Sequence, residues 1–127
     1  MKRLFALLLL LAPLAATAGE RPVKLARDFG ALYGTLRTPD EGASTVVLLV
    51  AGSGPTDRDG NNPLGVGAGT YRLLAEALDR AGIASLRYDK RAIGSSRLDD
   101  PSTRADLTFD MYVDDAAALA DYLAGEG

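Results

Sequence analysis

The chain has 127 residues, of which 14 are Lys or Arg and 17 are Asp or Glu, and it contains neither Cys nor His. The acidic balance argues against a nucleic-acid-binding protein, which needs clustered basic residues. The lack of Cys and His excludes disulfides and a structural zinc site, so we expect one small domain stabilised by its core, with no metal and no cofactor.

Residues 1–18 have the pattern of a secretory signal peptide. Two basic residues precede the uncharged apolar run 4–11, and Ala16-Thr17-Ala18 forms a cleavage site of small residues. The apolar run is well short of the roughly 20 residues that span a bilayer, which disfavours a permanent membrane anchor. We expect cleavage after Ala18 and export, in a bacterium to the periplasm, which leaves a partial domain over residues 19–127.

The predicted elements begin with a β-hairpin. Residues 23–27 and 31–37 form two short runs with alternating apolar positions around a Gly-containing turn. Residues 45–50 form a short run that is rich in β-branched residues and does not alternate between apolar and polar, which is typical of a fully buried strand in a parallel sheet. A long polar loop then covers residues 51 to about 68, and loops of that length are usually functional or disordered.

Two helices and another strand follow the loop. Apolar spacing predicts an amphipathic helix over 70–81, a core strand over 83–88, a polar loop over 90–104, and a helix over about 109–124 capped by Thr108. This alternation indicates an α/β fold with a mostly parallel sheet, left incomplete because no strand follows the last helix. The predicted packed face of that helix consists of Val113, Ala116, Ala117, Ala120 and Leu123.

The run from Ala51 to Asn62 is the most informative segment, because a Gly-rich polar loop directly follows a predicted strand. Its spacing fits neither a P-loop nor a dinucleotide-binding fingerprint. From Asp57 onward, Asp57-x-Asp59-x-Asn61 begins like a calcium loop, but Asn62 stands where Gly is required and Ala68 where Glu should chelate. Two interpretations remain: a surface loop without a ligand, or an oxyanion-hole loop whose backbone N–H groups stabilise the charge of acyl transfer.

The residues around this loop allow further expectations. Gly52 and Gly54 would let the backbone turn sharply and approach a substrate closely. Asp57, Arg58 and Asp59 would either hold the loop rigid by charge-assisted hydrogen bonds or form an exposed ion pair that contributes little, and spacing alone favours neither.

Two segments resemble the N-terminal part of bacterial exported α/β-hydrolases of the serine esterase and peptidase superfamily. They are 49–61, with its Gly-Ser-Gly-Pro-x-Asp-Arg-Asp-Gly-Asn loop, and 82–96, and the similarity covers roughly residues 23–124. The resemblance implies that Ser53, with Gly54 as its neighbour, supplies an oxyanion-hole N–H. It also implies that Asp89, Arg91 and Gly94 shape the loop beside the active site. The candidates for loop support are Gly52, Asp57, Arg58, Asp59, Asn61, Asp89 and Arg91.

The sequence departs from this family at two points. Ala92 stands where the family usually has Gly, which introduces strain if the position needs a positive φ. The family's nucleophile elbow, Asp and His come later in chain order than the second helix, so the resemblance implies a fragment truncated before them. Ser53 is no substitute nucleophile, because it lies outside a G-x-S-x-G setting and no His is present to activate it.

The function implied by the resemblance is therefore that of a parent serine hydrolase. We expect it to act on small carboxylic esters or related acyl compounds by a Ser-His-Asp mechanism, and we expect the chain alone to be inactive. Open strand edges predict poor solubility of such a fragment. The alternatives are a non-catalytic exported protein that uses the same loop to bind a ligand or partner, and an incomplete gene product without a function of its own.

Overall fold

The computed structural model describes residues 19–125, so the predicted signal peptide lies outside the described residues. Within that range no helix combines the length and the apolar character needed to cross a bilayer. The order of strands and helices is the predicted one, with a short 3₁₀ helix added at Pro101–Asp106. The elements are β1 (Gly19–Arg27), β2 (Gly30–Thr38), β3 (Val46–Leu49), α1 (Thr70–Arg80), β4 (Ala84–Tyr88) and α2 (Phe109–Gly125).

The four strands form one sheet in the order β1-β2-β4-β3. β1 and β2 form the predicted antiparallel hairpin, β2 and β4 are also antiparallel, and β3 and β4 are parallel. Leu36, Leu48 and Leu86 lie side by side in register across three of the strands. The sheet is therefore mixed rather than mostly parallel, because β4 pairs with the hairpin on one side and with β3 on the other.

The helices cover opposite faces of the sheet. Leu119 of α2 packs with Leu86 and Tyr88 of β4 in the main hydrophobic cluster. On the other face Arg37 of β2 donates a hydrogen bond to Asp79 of α1 at 2.8 Å. The result is a three-layer α/β/α arrangement, in which a polar face lies under α1 and the apolar core lies under α2. The buried cluster consists of Val23, Leu32, Leu36, Leu86, Tyr88 and Leu119.

Strand β3 is less buried than its apolar sequence predicts. Val46 is 40% exposed and Val50, just beyond the strand, is 55% exposed. Among the described residues β3 has a partner strand, β4, on one side only. It is an edge strand here, and its apolar surface lacks the second neighbour that would cover it.

The buried face of α2 also differs from the predicted one. Asp115 and Leu119 are its buried residues, whereas Val113 is 49% exposed. Asp115 occupies the middle of this face because it accepts hydrogen bonds from Arg27 and Arg91 at 2.9–3.0 Å. The pattern of apolar residues does not identify such a position, because a carboxylate can be buried only where cationic side chains neutralise and hydrogen-bond it.

Candidate functional site

The candidate site lies where β3 and β4 end. Because these strands are parallel, both chains leave the sheet at the same edge, which is where open α/β sheets bind ligands. The loop of residues 50–69 follows β3, and a tight polar segment, residues 89–96, follows β4. The two segments predicted to form the site are therefore brought together.

The second half of the loop is fixed by its own side chains. The Asp57 Oδ1 atom accepts hydrogen bonds from the N–H groups of Asp59 and Asn61, both at 2.9 Å. The Asn61 side-chain oxygen accepts from the Gly69 N–H at 2.9 Å, just before α1 begins. The carbonyl of Asp59 accepts from the first-turn N–H groups of Tyr71 and Arg72. These contacts attach the loop to the start of α1.

Asp89 joins the two segments. It is 2% exposed, and its carboxylate accepts from the Arg58 N–H at 2.7 Å, the Arg58 guanidinium at 3.0 Å and the Ser95 N–H at 2.9 Å. Gly94 has φ +53°, and a Cβ there would lie 2.5 Å from the Asp89 carboxylate. Only glycine fits so close to this carboxylate.

Asp59 is tied to the sheet by Arg87, a buried residue of β4. The Arg87 Nε donates to Asp59 at 2.9 Å, and the same guanidinium lies 3.1 Å from Glu20 of β1. Burial alone would raise the pKa of Glu20, but hydrogen bonds and charge from Arg87 and Arg37 outweigh it, so that pKa is lowered. Asp57, Arg58 and Asp59 thus contact the backbone and buried partners, unlike an isolated surface ion pair.

The first half of the loop is exposed and holds the two candidate N–H donors. Ser53 and Gly54 are exposed, and within residues 19–125 neither backbone N–H donates a hydrogen bond. Gly54 has φ +94°, a conformation that favours glycine, whereas Gly52 has neither a positive φ nor a close neighbour. Gly52 contributes instead through its carbonyl, which accepts a hydrogen bond from the Lys90 ammonium.

Arg91 lies away from the predicted loop. It is 4% exposed, binds Asp115 of α2 at 2.9 and 3.0 Å, lies 3.1 Å from Asp28 in the β1–β2 turn, and stacks on the Phe29 ring at 4.2 Å. It therefore attaches α2 to the hairpin. Its side chain contacts α2 and the hairpin, whereas it was expected from the sequence to support the loop of residues 50–69.

Sequence reasoning did not identify Lys90, Arg87 or Asp115 as structural partners. For Arg87 the sequence does contain an indication, because a charged residue inside a five-residue strand that is buried throughout needs a partner.

A shallow cleft also opens beside the loop. It is lined by Pro55, Asp57, Asn61, Asn62, Pro63, Ala92, Ile93, Gly94 and Arg104.

Among the described residues few side chains are suited to bind a metal ion or to act as a general base. Within residues 19–125 no group of three or more acidic side chains is placed to hold a metal ion. The chain has no His to act as a general base. The Ser53 and Gly54 N–H groups make no hydrogen bond within residues 19–125 and lie on a loop that side chains and the sheet hold in place. Backbone donors of this kind can stabilise a negative charge electrostatically.

Comparison with known proteins supports the fold. No family model and no curated protein matches the chain. Among solved structures, a lidless α/β serine hydrolase from Xanthomonas campestris matches 86% of the chain with a TM-score of 0.58 and 20% identity. A cold-adapted esterase from an Arctic intertidal metagenomic library matches 60% of it with a TM-score of 0.45 and 27% identity.

The fold is thus that of the N-terminal portion of an α/β-hydrolase. The chain spans 46% of the length of the Xanthomonas hydrolase and 29% of the length of the Arctic esterase.

Proposed function

We propose that this chain provides the oxyanion-hole side of a serine hydrolase site that acts on small carboxylic esters or related acyl compounds. One observation carries the proposal: the Ser53 and Gly54 N–H groups are exposed and without hydrogen bonds within residues 19–125, on a loop that is otherwise fixed. Donors held in advance stabilise a developing oxyanion without a cost of reorganisation at the moment of reaction. The hydrolase fold of the matching structure supports this assignment.

The chain by itself is not expected to hydrolyse esters. Its 127 residues contain no His, so the Ser53 hydroxyl has no imidazole to deprotonate it. The purified chain should release p-nitrophenol from p-nitrophenyl acetate no faster than buffer does, with no burst. A burst that disappears in Ser53→Ala would show that Ser53 is itself a nucleophile and would contradict the proposal.

A graft tests the positive part of the proposal. Residues 50–62 and 89–96 would replace the aligned segments of the Xanthomonas hydrolase, and the folded chimera would be assayed with p-nitrophenyl esters. Ser53→Pro, which removes the N–H, should lower kcat about 10²–10³-fold, the usual effect of losing one oxyanion donor. Ser53→Ala keeps the N–H and should keep most of the activity. Equal activity of the two variants would refute an oxyanion role for Ser53.

We also propose that the chain is exported. The support is the charge and apolar pattern of residues 1–18 and the small-residue site at Ala18. N-terminal sequencing of the protein from the periplasm of a bacterial host should begin at Gly19. A mature chain that still begins at Met1 would oppose this proposal.

A further inference from the structure

Lys90 is a buried cation whose surroundings differ from those of the other buried cations. It is 8% exposed, and within residues 19–125 its ammonium has no carboxylate partner, whereas Arg87 and Arg91 are each paired with two. Its polar contacts are the backbone carbonyls of Gly52 and of Gly54, the latter at 3.1 Å. Removing an ammonium from water is costly, and burial lowers the pKa of Lys90 accordingly. The two carbonyl contacts are what offsets this cost.

These contacts determine which way one peptide group points. The described chain has no cis peptide bonds, so the carbonyl of Gly52 and the N–H of Ser53 point in opposite directions across the same planar group. Because the Gly52 carbonyl faces the buried Lys90 ammonium, the N–H of the exposed Ser53 points away from Lys90.

Of the two carbonyls that Lys90 contacts, only that of Gly52 shares its peptide group with an N–H, and this is the N–H of Ser53. The Gly54 carbonyl belongs to the peptide group that precedes Pro55, which has no N–H. The Gly54 N–H belongs to the peptide group of the Ser53 carbonyl, which Lys90 does not contact. A charged donor on the Gly52 carbonyl also polarises that peptide group and strengthens its N–H as a donor.

We propose that Lys90 is a positioning residue of the oxyanion loop, which holds the Gly52 carbonyl inward and thereby presents the Ser53 N–H, rather than that of Gly54, to the oxyanion. This assignment rests on the proposed function for its chemical meaning. The contact between Lys90 and the loop can be tested without any catalytic activity.

The test measures the order of the loop backbone by ¹⁵N relaxation in the full chain. Samples carry Val46→Lys to limit association through the β3 edge. The order parameters of Ser53 and Gly54 should fall from about 0.85, the value of rigid backbone, to below about 0.6 in Lys90→Met. Lys24→Met is the matched control, because Lys24 is exposed, its ammonium lies over the Tyr33 ring, and within residues 19–125 no hydrogen bond or ion pair joins its side chain to the loop of residues 50–69.

Chemical rescue separates the charge of Lys90 from its bulk. The chain has no Cys, so in Lys90→Cys the only thiol is at position 90. Alkylation in denaturant with 2-bromoethylamine restores an ammonium at the lysine length, and 2-bromoethanol gives a neutral side chain of the same length. After refolding, the amine adduct should restore the order and the amide shift of Ser53, and the neutral adduct should not. Equal rescue by both adducts would overturn the proposal.

Acetate, a small oxyanion, distinguishes this inference from the proposed function. In the chain that retains Lys90, acetate should shift the Ser53 amide resonance more than that of Gly54. The Lys90→Met change should abolish this difference. An unchanged loop in Lys90→Met overturns the role of Lys90 and leaves the proposed function standing. A loop that loses order in Lys90→Met while Ser53 ignores acetate supports the contact but counts against the oxyanion function.

Discussion

Replacing Ala92 by glycine is expected to stabilise the protein. Ala92 has φ +68° and is the only non-glycine residue with a positive φ among residues 19–125. The turn around it is fixed, because its N–H donates to the Ser96 carbonyl at 2.8 Å and its carbonyl accepts from Arg104 at 3.2 Å. The backbone therefore cannot relax to a negative φ without losing these bonds.

The expected gain is the difference between opposing effects. The left-handed conformation costs a residue with a Cβ roughly 1–2 kcal/mol, which Ala92→Gly removes. Glycine adds conformational entropy to the unfolded chain, at a cost of about 0.4–1 kcal/mol. The half-buried methyl group is also lost, which costs part of the about 0.8 kcal/mol of a fully buried methylene. The net stabilisation is about 0.5 kcal/mol, or roughly 2–4 °C in Tm.

Urea unfolding followed by circular dichroism measures this difference. Ala68→Gly is the matched control, because Ala68 lies in an exposed loop without a positive φ and its replacement brings only the entropic cost. The two variants should differ in free energy of unfolding by about 1 kcal/mol, with Ala92→Gly the more stable. Equal destabilisation by both changes would show that position 92 is not strained and would refute the reasoning.

Three other predictions follow from burial and charge. Asp115→Asn should lower the free energy of unfolding by about 3 kcal/mol, because it removes the charge that the buried Arg91 faces; a urea midpoint close to that of the parent chain would argue against this. Burial raises the pKa of the Tyr88 hydroxyl from 10.0 to about 12, so this hydroxyl stays protonated to a higher pH in the folded state than in the unfolded state. The free energy of unfolding should therefore fall as the pH rises from 10 to 12. Tyr88→Phe should show a smaller fall in urea midpoint between pH 9.5 and 11.5, and equal falls would count against it. Val46→Lys should reduce self-association in sedimentation velocity, and a parent chain that is monomeric throughout would contradict an open β3 edge.

Regular elements were predictable from the sequence because their signals are local. The first helix was expected over 70–81 and is found at Thr70–Arg80, and the second was expected over about 109–124 and is found at Phe109–Gly125. Each has a 3.6-residue apolar period, and a glycine follows the first where it ends. The hairpin was also predicted, although β1 begins four residues earlier than expected and β2 extends one residue beyond the expected bounds at each end.

Burial was less predictable, because it depends on neighbours that the local pattern does not record. The apolar run of β3 shows that both its faces suit an interior, but not that β4 is its only partner among the described strands. On α2, Asp115 looks like a solvent-facing position until Arg27 and Arg91, 88 and 24 residues away, are placed beside it. Sequence spacing cannot pair such residues.

The loop shows the same division between local and distant contacts. The Asp57 carboxylate accepts hydrogen bonds from the N–H groups of Asp59 and Asn61, as turn-forming Asp residues commonly do, and such local bonds can be read from the sequence. The bonds that fix the loop to the sheet span 31 residues for Arg58 and Asp89, and 38 residues for Lys90 and Gly52. The motif therefore marks the site, and the fold determines which of its groups are available.

The backbone N–H groups of the two halves of this motif differ in their hydrogen bonding. Every N–H from Asp57 to Asn61 donates within the chain: three to carboxylates, one to the Asn61 carbonyl and one to the Asp57 carbonyl. Pro55 has no N–H to offer. Among residues 51–62 the exposed donors without a hydrogen bond are therefore those of the Gly-Ser-Gly segment, residues 52–54. Residues 57–61 fix the loop, and residues 52–54 hold the N–H groups that the proposed oxyanion role requires.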